Sequence, residues 1–148
     1  METLQRTANR GSISTGFDID NSLKLEEDNS EYLQRATGGG NGDTQKHTIS
    51  VWVKRTEITK TSFILGFANI GRLRFESDDK IEYQFRSGRK LETKRKFRDT
   101  SAWYHIVVVA DSSLATSTDR MKLYINGVRE TDLLTYIPQD QNQGSPAW

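Results

Sequence analysis

Apolar residues at every second position are the feature that most limits how this chain can fold. In HTISVWVKR (47–55), Ile49, Val51 and Val53 share one parity, while polar residues and Trp52 share the other. A period of two is that of a half-buried β-strand, with one face toward a core and one toward solvent. The segment therefore predicts a strand whose inner face carries the three branched apolar residues.

Turn sequences join further alternating segments. GRLRFES (71–77) and KIEYQFR (80–86) flank a Ser-Asp-Asp turn, which predicts a hairpin. In 119–131, Asn126-Gly127 suits a type I′ turn because both residue types tolerate positive φ. WYHIVVVAD (103–111) is the most apolar strand and is expected at the centre of a sheet. No segment keeps a helical period over three turns, so the pattern predicts an all-β antiparallel sandwich or barrel.

The remaining segments set the expected domain limits. Residues 1–20 are polar and predict an extended N-terminal arm or linker, followed by a β-sandwich over 21–135. SLKLEEDNSEYLQR (22–35) suits a hairpin-like pair of short strands, and SGRKLETKRKFRD (87–99) alternates like a one-sided strand pair. The Pro-, Gln- and Gly-rich segment 136–148 predicts a loop or a truncated C-terminal part.

Composition excludes several classes of protein and partner. The chain has 148 residues, with 21 basic and 20 acidic side chains, so no global charge draws it toward nucleic acid or anionic lipid. It has no cysteine, which excludes disulfides and thiolate metal sites. No apolar run approaches the roughly 18 residues of a membrane helix, and the N-terminus lacks the apolar region of a secretory signal. We therefore expect neither a membrane span nor a secretory signal.

Two segments together resemble a known family. HTISVWVKR, followed by SAWYHIVVVADSSLATSTDRMKLYINGVRET (101–131), resembles the laminin-G-like branch of the concanavalin A-like lectin/glucanase jelly rolls. NSLKLEEDNSEYLQR looks like the first strand of that family, and the resemblance covers about residues 20–131. It implies an all-β fold, an antiparallel jelly-roll β-sandwich of the concanavalin A-like type.

The chain departs from the family pattern at its C-terminal end. Family members usually continue with two more strands, the second of which closes the sheet beside the first strand. Neither pattern is found before Trp148, so the sandwich is expected to be incomplete there. Either the chain is a fragment, or another chain supplies the missing strands and covers the open sheet edge.

The resemblance also implies a setting. WVKR (52–55), with a Ser/Thr-rich loop before DRMKLYINGV (119–128), looks especially like domains of tailed-phage virion proteins. It implies a non-enzymatic structural or binding protein located in the virion, such as a tail fibre, an appendage or a capsid decoration. The expected partners are other virion proteins, in a homo-oligomer or an assembly with neighbouring chains. Two alternatives are a carbohydrate-binding module for host surface glycan and a glycoside hydrolase or depolymerase.

Candidate catalytic residues are few. Glycoside hydrolysis needs two carboxylates facing one sugar, and the family's enzymes carry Glu-x-Asp-x-Glu or Glu-x-Asp-x-x-Glu on one strand. In ESDDKIE, Glu76 and Asp78 have that spacing, but Glu82 comes one residue too late. The only histidines, His47 and His105, fall in different strands, and no Gly-x-Ser-x-Gly elbow is present. We therefore predict no catalytic site and interpret His105 as a partly buried structural residue.

Two further sets of residues are candidates for binding. Asp28, Asp111 and Asp119 are the loop aspartates that could hold calcium, the one cofactor that the resemblance suggests. RSGRKLETKRKFR (86–98) is strongly basic, but its charges alternate with apolar or Thr side chains, which favours a solvated sheet face or an inter-subunit salt-bridge surface. A contact with an acidic protein or glycan is the next alternative, and nucleic-acid binding comes last. The candidate binding residues are Arg89, Lys94, Lys96, Arg98 and Trp148. The resemblance implies core packing for Trp52 and Trp103.

Overall fold

The computed structural model describes residues 21–25, 29–34, 43–67, 71–86 and 88–143. The chain divides into two units, Met1–Ala36 and Thr37–Trp148, and all the strands described lie in the second. Within these ranges the second unit has one short helical element, a 3₁₀ turn at Ser117–Asp119. No helix in the described part of the chain has the length and apolar character needed to cross a membrane.

The second unit contains two antiparallel sheets. The strands are β1 (Lys46–Lys54), β2 (Ser62–Phe67), β3 (Gly71–Phe75), β4 (Ile81–Arg86), β5 (Arg89–Thr93), β6 (Trp103–Asp111), β7 (Met121–Ile125), β8 (Val128–Arg129) and β9 (Leu133–Ile137). The first sheet has the strand order β1-β6-β7-β8, and the second has the order β2-β3-β4-β5-β9. The predicted all-β antiparallel sandwich is confirmed.

Strand alternation builds the core between the two inner faces. In β6, every second residue from Tyr104 to Ala110 is buried, as expected for a strand with one face on a core. β6 lies between β1 and β7, which confirms its predicted inner place. The buried apolar cluster consists of Leu73, Phe75, Ile81, Tyr83, Phe85, Leu91, Phe97, Tyr104, Ile106, Val108, Ala110, Met121, Leu123 and Ile125.

Both predicted hairpins are present. β3 and β4 pair across the Ser-Asp-Asp turn, with Phe75 opposite Ile81. β7 and β8 pair across Asn126-Gly127, whose φ angles are 51° and 82°. Two successive positive φ values are those of the type I′ turn, which matches the twist of the flanking strands.

A buried ion pair connects the end of β1 to the β3–β4 turn. Arg55 Nη1 donates to Asp79 Oδ1 at 3.1 Å, and the two side chains are 1% and 0% exposed. The Thr59 N–H donates to the same oxygen at 2.6 Å, and Arg98 Nε donates to Asp79 Oδ2 at 2.8 Å. The hydrogen bond from Thr59, with those from Arg98 and Arg55, outweighs burial and lowers the pKa of Asp79 to about 2. One carboxylate thus joins the two sheets at this end.

The strand pair predicted in 22–35 is wrong for the residues described there. Residues 21–25 and 29–34 contain no strand. Leu23, Tyr32 and Leu33 are exposed by 64%, 73% and 79%. An alternating pattern forms a paired strand only where one of its faces is buried, because burial of that face sets the register. These apolar side chains are exposed, so the alternation has no such effect here. The domain limits proposed from sequence stay a prediction.

Two segment boundaries differ from expectation. In the alternating segment 87–99, β5 ends at Thr93, yet Phe97 is still buried because its ring packs against Phe75 and Tyr104. The tail was predicted to be a loop from Tyr136, but β9 continues to Ile137 and pairs with β5. In the first case a contact distant in sequence buries a residue beyond the end of the strand, and in the second a distant strand partner extends β9 past the predicted boundary.

Candidate functional site

Four large side chains share the outer face of the first sheet, where β1 lies beside β6. The strand register pairs Trp52 with His105 and Lys54 with Trp103. Paired residues of antiparallel strands point to the same face, and a diagonal pair lies roughly 7–8 Å apart at the backbone. The two tryptophans form such a diagonal pair. We call Trp52, Lys54, Trp103 and His105 the tryptophan platform.

Both indoles of the tryptophan platform are accessible. Trp52 is 55% exposed and Trp103 is 46% exposed. The Trp52 ring stacks on the imidazole of His105, with ring centroids 4.7 Å apart and an interplanar angle of 11°. His105 therefore supports one face of the Trp52 indole from the neighbouring strand.

Hydrogen bonds hold the support in place. A hydrogen bond of 2.9 Å joins Ser50 Oγ to His105 Nε2. The backbone N–H of His105 donates to Asn126 Oδ1 at 2.8 Å, and the Asn126 N–H donates to the His105 carbonyl at 2.8 Å. Because ring and backbone of His105 are both fixed, Trp52 loses little freedom when a ligand contacts it, which lowers the cost of binding.

The prediction that Trp52 and Trp103 pack in the core is wrong. Ile49, Val51 and Val53 pack against the core cluster, so Trp52 on the opposite parity of β1 must face outward. Trp103 faces outward for the same reason, because Tyr104 and Ile106, on the opposite parity of β6, are buried in the core. The signal was present in the sequence, since Trp52 shares its parity with Ser50 and Lys54. The family resemblance pointed the other way.

The carboxylates of ESDDKIE lie on the outer face of the second sheet and in its β3–β4 turn. Asp78 is in the turn and pairs with Lys80 at 2.5 Å. Glu76 and Glu82 instead share one cation, because Arg74 Nη2 lies 2.6 Å from Glu76 Oε1 and 3.2 Å from Glu82 Oε1. The spacing in sequence suggested Glu76 with Asp78, whereas the hairpin brings Glu76 to Glu82.

These two glutamates have opposite electrostatic settings. Burial, followed by the negative charge of Glu82, raises the pKa of Glu76. Burial acts in the same direction on Glu82, but hydrogen bonds from Arg72 and Lys90 outweigh it and lower its pKa. Arg72 Nε lies 2.8 Å from Glu82 Oε1, and Lys90 Nζ lies 3.2 Å from Glu82 Oε2. Both Glu82 oxygens are thus committed to cations, which fits an ion-pair network of the sheet surface.

The candidate binding residues of 86–98 are paired with separate acids. Arg89 pairs with Asp140 at 2.6 Å, Lys94 with Asp132 at 2.7 Å, and Arg98 with Asp79 at 2.8 Å. Lys96 is exposed in the segment that follows β5. Trp148 lies outside the described residues. A role in binding for these side chains stays a prediction.

The calcium candidates are engaged by other side chains. Asp111 Oδ1 accepts hydrogen bonds from the Ser113 N–H at 3.0 Å and Ser113 Oγ at 2.5 Å, and these bonds lower the pKa of Asp111. Asp119 Oδ1 lies 3.1 Å from Lys122 Nζ. Asp28 lies outside the described residues. In the described ranges, no three acidic or histidine side chains are grouped closely enough to hold a metal ion.

The two histidines lie on opposite faces of the first sheet. His105 belongs to the tryptophan platform, whereas His47 faces inward, stacks on Phe85 at 5.0 Å and lies 2.5 Å from the Tyr83 hydroxyl through Nε2. Burial lowers the pKa of His47 to about 4. The sheet separates the two rings, so they cannot act on one ligand together.

Two facing antiparallel sheets with loops at their ends define an antiparallel β-sandwich. A laminin G family model, described as the concanavalin A-like lectin/glucanases superfamily, matches residues 27–148. The chain belongs to this superfamily. Comparison with the curated proteins and with the solved structures finds no match.

Proposed function

We propose that this chain is a non-enzymatic carbohydrate-binding domain and that the tryptophan platform is its sugar site. The observation that carries the proposal is the exposure of Trp52 and Trp103 together on one sheet face. Exposed apolar side chains grouped in this way mark ligand or partner surfaces more often than isolated ones do.

The chemistry of the platform fits a sugar. A pyranose ring has an apolar face of C–H groups and a rim of hydroxyls. Indole is flat and weakly polar, so it contacts the C–H face with little loss of hydration. Polar groups at the edge of the platform, on Ser50, Lys54 and His105, can then bond to hydroxyls. Few polar groups beside apolar contact area are the usual composition of a small-ligand site.

The second sheet supports the non-enzymatic part of the proposal. Retaining hydrolysis requires one protonated acid and one carboxylate that is free to attack the anomeric carbon. Glu76 has the raised pKa of an acid, but both oxygens of Glu82 are bound by Arg72, Arg74 and Lys90. A carboxylate held by three cations is a poor nucleophile. Sugar oligomers incubated with the chain should therefore keep their reducing-end count, and hydrolysis that Glu76→Gln abolishes would contradict this.

The setting that we propose is a tailed-phage virion, in a structural or binding role. It is supported by the resemblance of the segments at 47–55 and 101–131, and by the edge position of β1. In the described residues β1 has a strand partner on one side only, β6. A strand from a neighbouring chain could pair with the open side through main-chain hydrogen bonds. Mass spectrometry of purified particles tests the proposal, and particles that lack this protein would refute it.

A glycan array tests the sugar-binding function. We expect wild-type chain to bind a subset of glycans, and the double variant Trp52→Ala/Trp103→Ala to lose them. Phe63→Ala is the matched control, because Phe63 is a 63% exposed aromatic residue of the second sheet. Equal binding by wild type and the double variant, or an array without any hit, would refute the site.

A further inference from the structure

We infer that the tryptophan platform selects acidic sugars and that Lys54 recognises their carboxylate or sulfate group. This inference rests on the proposed sugar-binding function. Lys54 is the register partner of Trp103 in the neighbouring strand β6, and it lies two residues from Trp52 along β1. All three side chains are on the same face of the sheet. A ligand stacked on either indole therefore places its substituents within reach of the Lys54 side chain.

Lys54 differs from the other cations on this face of the first sheet. Lys46 lies 3.8 Å from Asp111, and Lys122 lies 3.1 Å from Asp119. For Lys54, no carboxylate of the described residues lies within 4.0 Å of the ammonium group. Its charge is therefore available to a ligand.

Asp99 is the acid whose pKa the charge of Lys54 affects, and its carboxylate is already hydrogen-bonded within its own turn. Hydrogen bonds from Ser101 are the main reason that the pKa of Asp99 is lowered, and the charge of Lys54 is a smaller cause. Asp99 Oδ1 accepts from the Ser101 N–H at 2.8 Å and from Ser101 Oγ at 2.6 Å. Asp99 thus stays with its own turn, and Lys54 stands beside both indoles without a carboxylate of the described residues in contact with its ammonium group.

The size of the effect follows from exposure. A charge-assisted hydrogen bond is stronger than a neutral one, but an exposed ion pair is weakened by solvent and salt. We expect an acidic sugar to bind about 2- to 5-fold more tightly than its neutral counterpart at low salt. Stacking on the indoles is common to both ligands, so the neutral sugar binds as well.

The test compares matched ligands on the full chain. Oligogalacturonate and its methyl ester differ in the charge of the carboxyl group and in one methyl group per sugar, and dextran sulfate and dextran provide the sulfate pair. Binding is measured by titration calorimetry at low salt and at about 0.5 M salt, where charge is strongly screened. We expect wild type to prefer the acidic member of at least one pair at low salt and to lose the preference at high salt.

Two variants complete the test. Lys54→Gln should lose the preference and keep the affinity for the neutral ligand, while Lys122→Gln, which removes the same charge elsewhere on the face, should keep the preference. If wild type binds charged and neutral ligands equally, or if Lys54→Gln retains the preference, the role of Lys54 is refuted and the platform stands. If wild type binds none of the four ligands, the preference for acidic sugars is refuted and the glycan array alone decides the sugar-binding function. If Trp52→Ala/Trp103→Ala binds a ligand as well as wild type does, both proposals fail.

Discussion

The indole of Trp52 lies parallel to the imidazole of His105, with ring centroids 4.7 Å apart and an interplanar angle of 11°. The two residues are opposite each other in neighbouring strands, so the stack exists only when β1 and β6 pair in this register. The platform is therefore a product of the folded sheet, and the Trp52–His105 stack is formed before any ligand arrives.

Replacing Trp52 should affect ligand binding far more than stability. For Trp52→Ala we expect an affinity loss of about 10-fold or more, ~1.4 kcal/mol, because an aromatic anchor is removed. The free energy of unfolding should change by about 1 kcal/mol or less, because the Trp52 ring is exposed and its removal costs only the stack on His105. Titration by calorimetry and urea unfolding measure the two effects. Trp52→Phe should recover part of the affinity. If Trp52→Ala is strongly destabilised but its folded fraction binds with wild-type affinity, Trp52 does not belong to the binding site.

Replacing Asp79 should affect stability strongly. Asp79→Ala leaves the buried guanidinium of Arg55 without its counter-ion, which costs about 3–5 kcal/mol. Chemical unfolding followed by circular dichroism measures the loss. Asp140→Ala is the control, because the Arg89–Asp140 pair is exposed and is expected to contribute about 1 kcal/mol or less. Similar losses of unfolding free energy for the two variants would show that the Arg55–Asp79 pair stabilises the fold no more than an exposed ion pair does.

The same carboxylate predicts a loss of stability in acid. The pKa of Asp79 is lowered from 3.8 to about 2, so the folded state favours the ionised form. Its contribution is fully present above the unfolded value and is lost as the pH falls through the folded value. Unfolding free energies measured between pH 5 and pH 2 should decline in wild type and decline less in Asp79→Ala. Parallel curves would contradict the assignment.

His47 predicts a second pH dependence, at higher pH. Burial lowers its pKa from 6.5 to about 4, so between these values the unfolded state binds a proton that the folded state does not. Stability should therefore rise as the pH rises from about 4 to 6.5. In His47→Gln this rise should be smaller, although the variant also loses the contact with Tyr83 and is less stable throughout. Urea unfolding at a series of pH values measures the slope, and an unchanged slope would refute the prediction.

Gly127 should be sensitive to replacement for a conformational reason. Its φ is +82° and a Cβ would meet nothing within 4 Å, so Gly127→Ala adds backbone strain without a steric clash. The expected cost is about 1 kcal/mol of unfolding free energy. Gly66→Ala is the control, since Gly66 has open space and no positive φ, and it should be neutral or slightly stabilising. If both variants behave alike in thermal unfolding, the type I′ turn does not limit stability.

Local patterns were sufficient for much of the fold. Alternation in 47–55 predicted a strand and the parity that faces the core, because side chains of a strand point alternately to its two faces. The apolar character of 103–111 predicted a strand at the centre of a sheet, without saying which face is buried. Asn126-Gly127 predicted a hairpin turn from its tolerance of positive φ. Alternation failed in 22–35, where no buried face accompanies the pattern in the described residues.

The candidate site was not predictable in the same way. Parity alone places Trp52 outside the core, but no local rule says which residue of which strand lies beside it. The pairing of Glu76 with Glu82 through Arg74 was missed for the same reason, since it depends on the register of β3 against β4.

The sequence by itself determined the all-β class, the inner faces of the main strands and the turn that joins β7 to β8, because these depend on the conformations and burial of residues close in the chain. The tertiary structure alone decided that Trp52, Lys54, Trp103 and His105 meet, and that Arg55 reaches Asp79. Pairing between distant strands is set by how two whole faces pack together, so the surface that we propose as functional appears only once the sheets have formed.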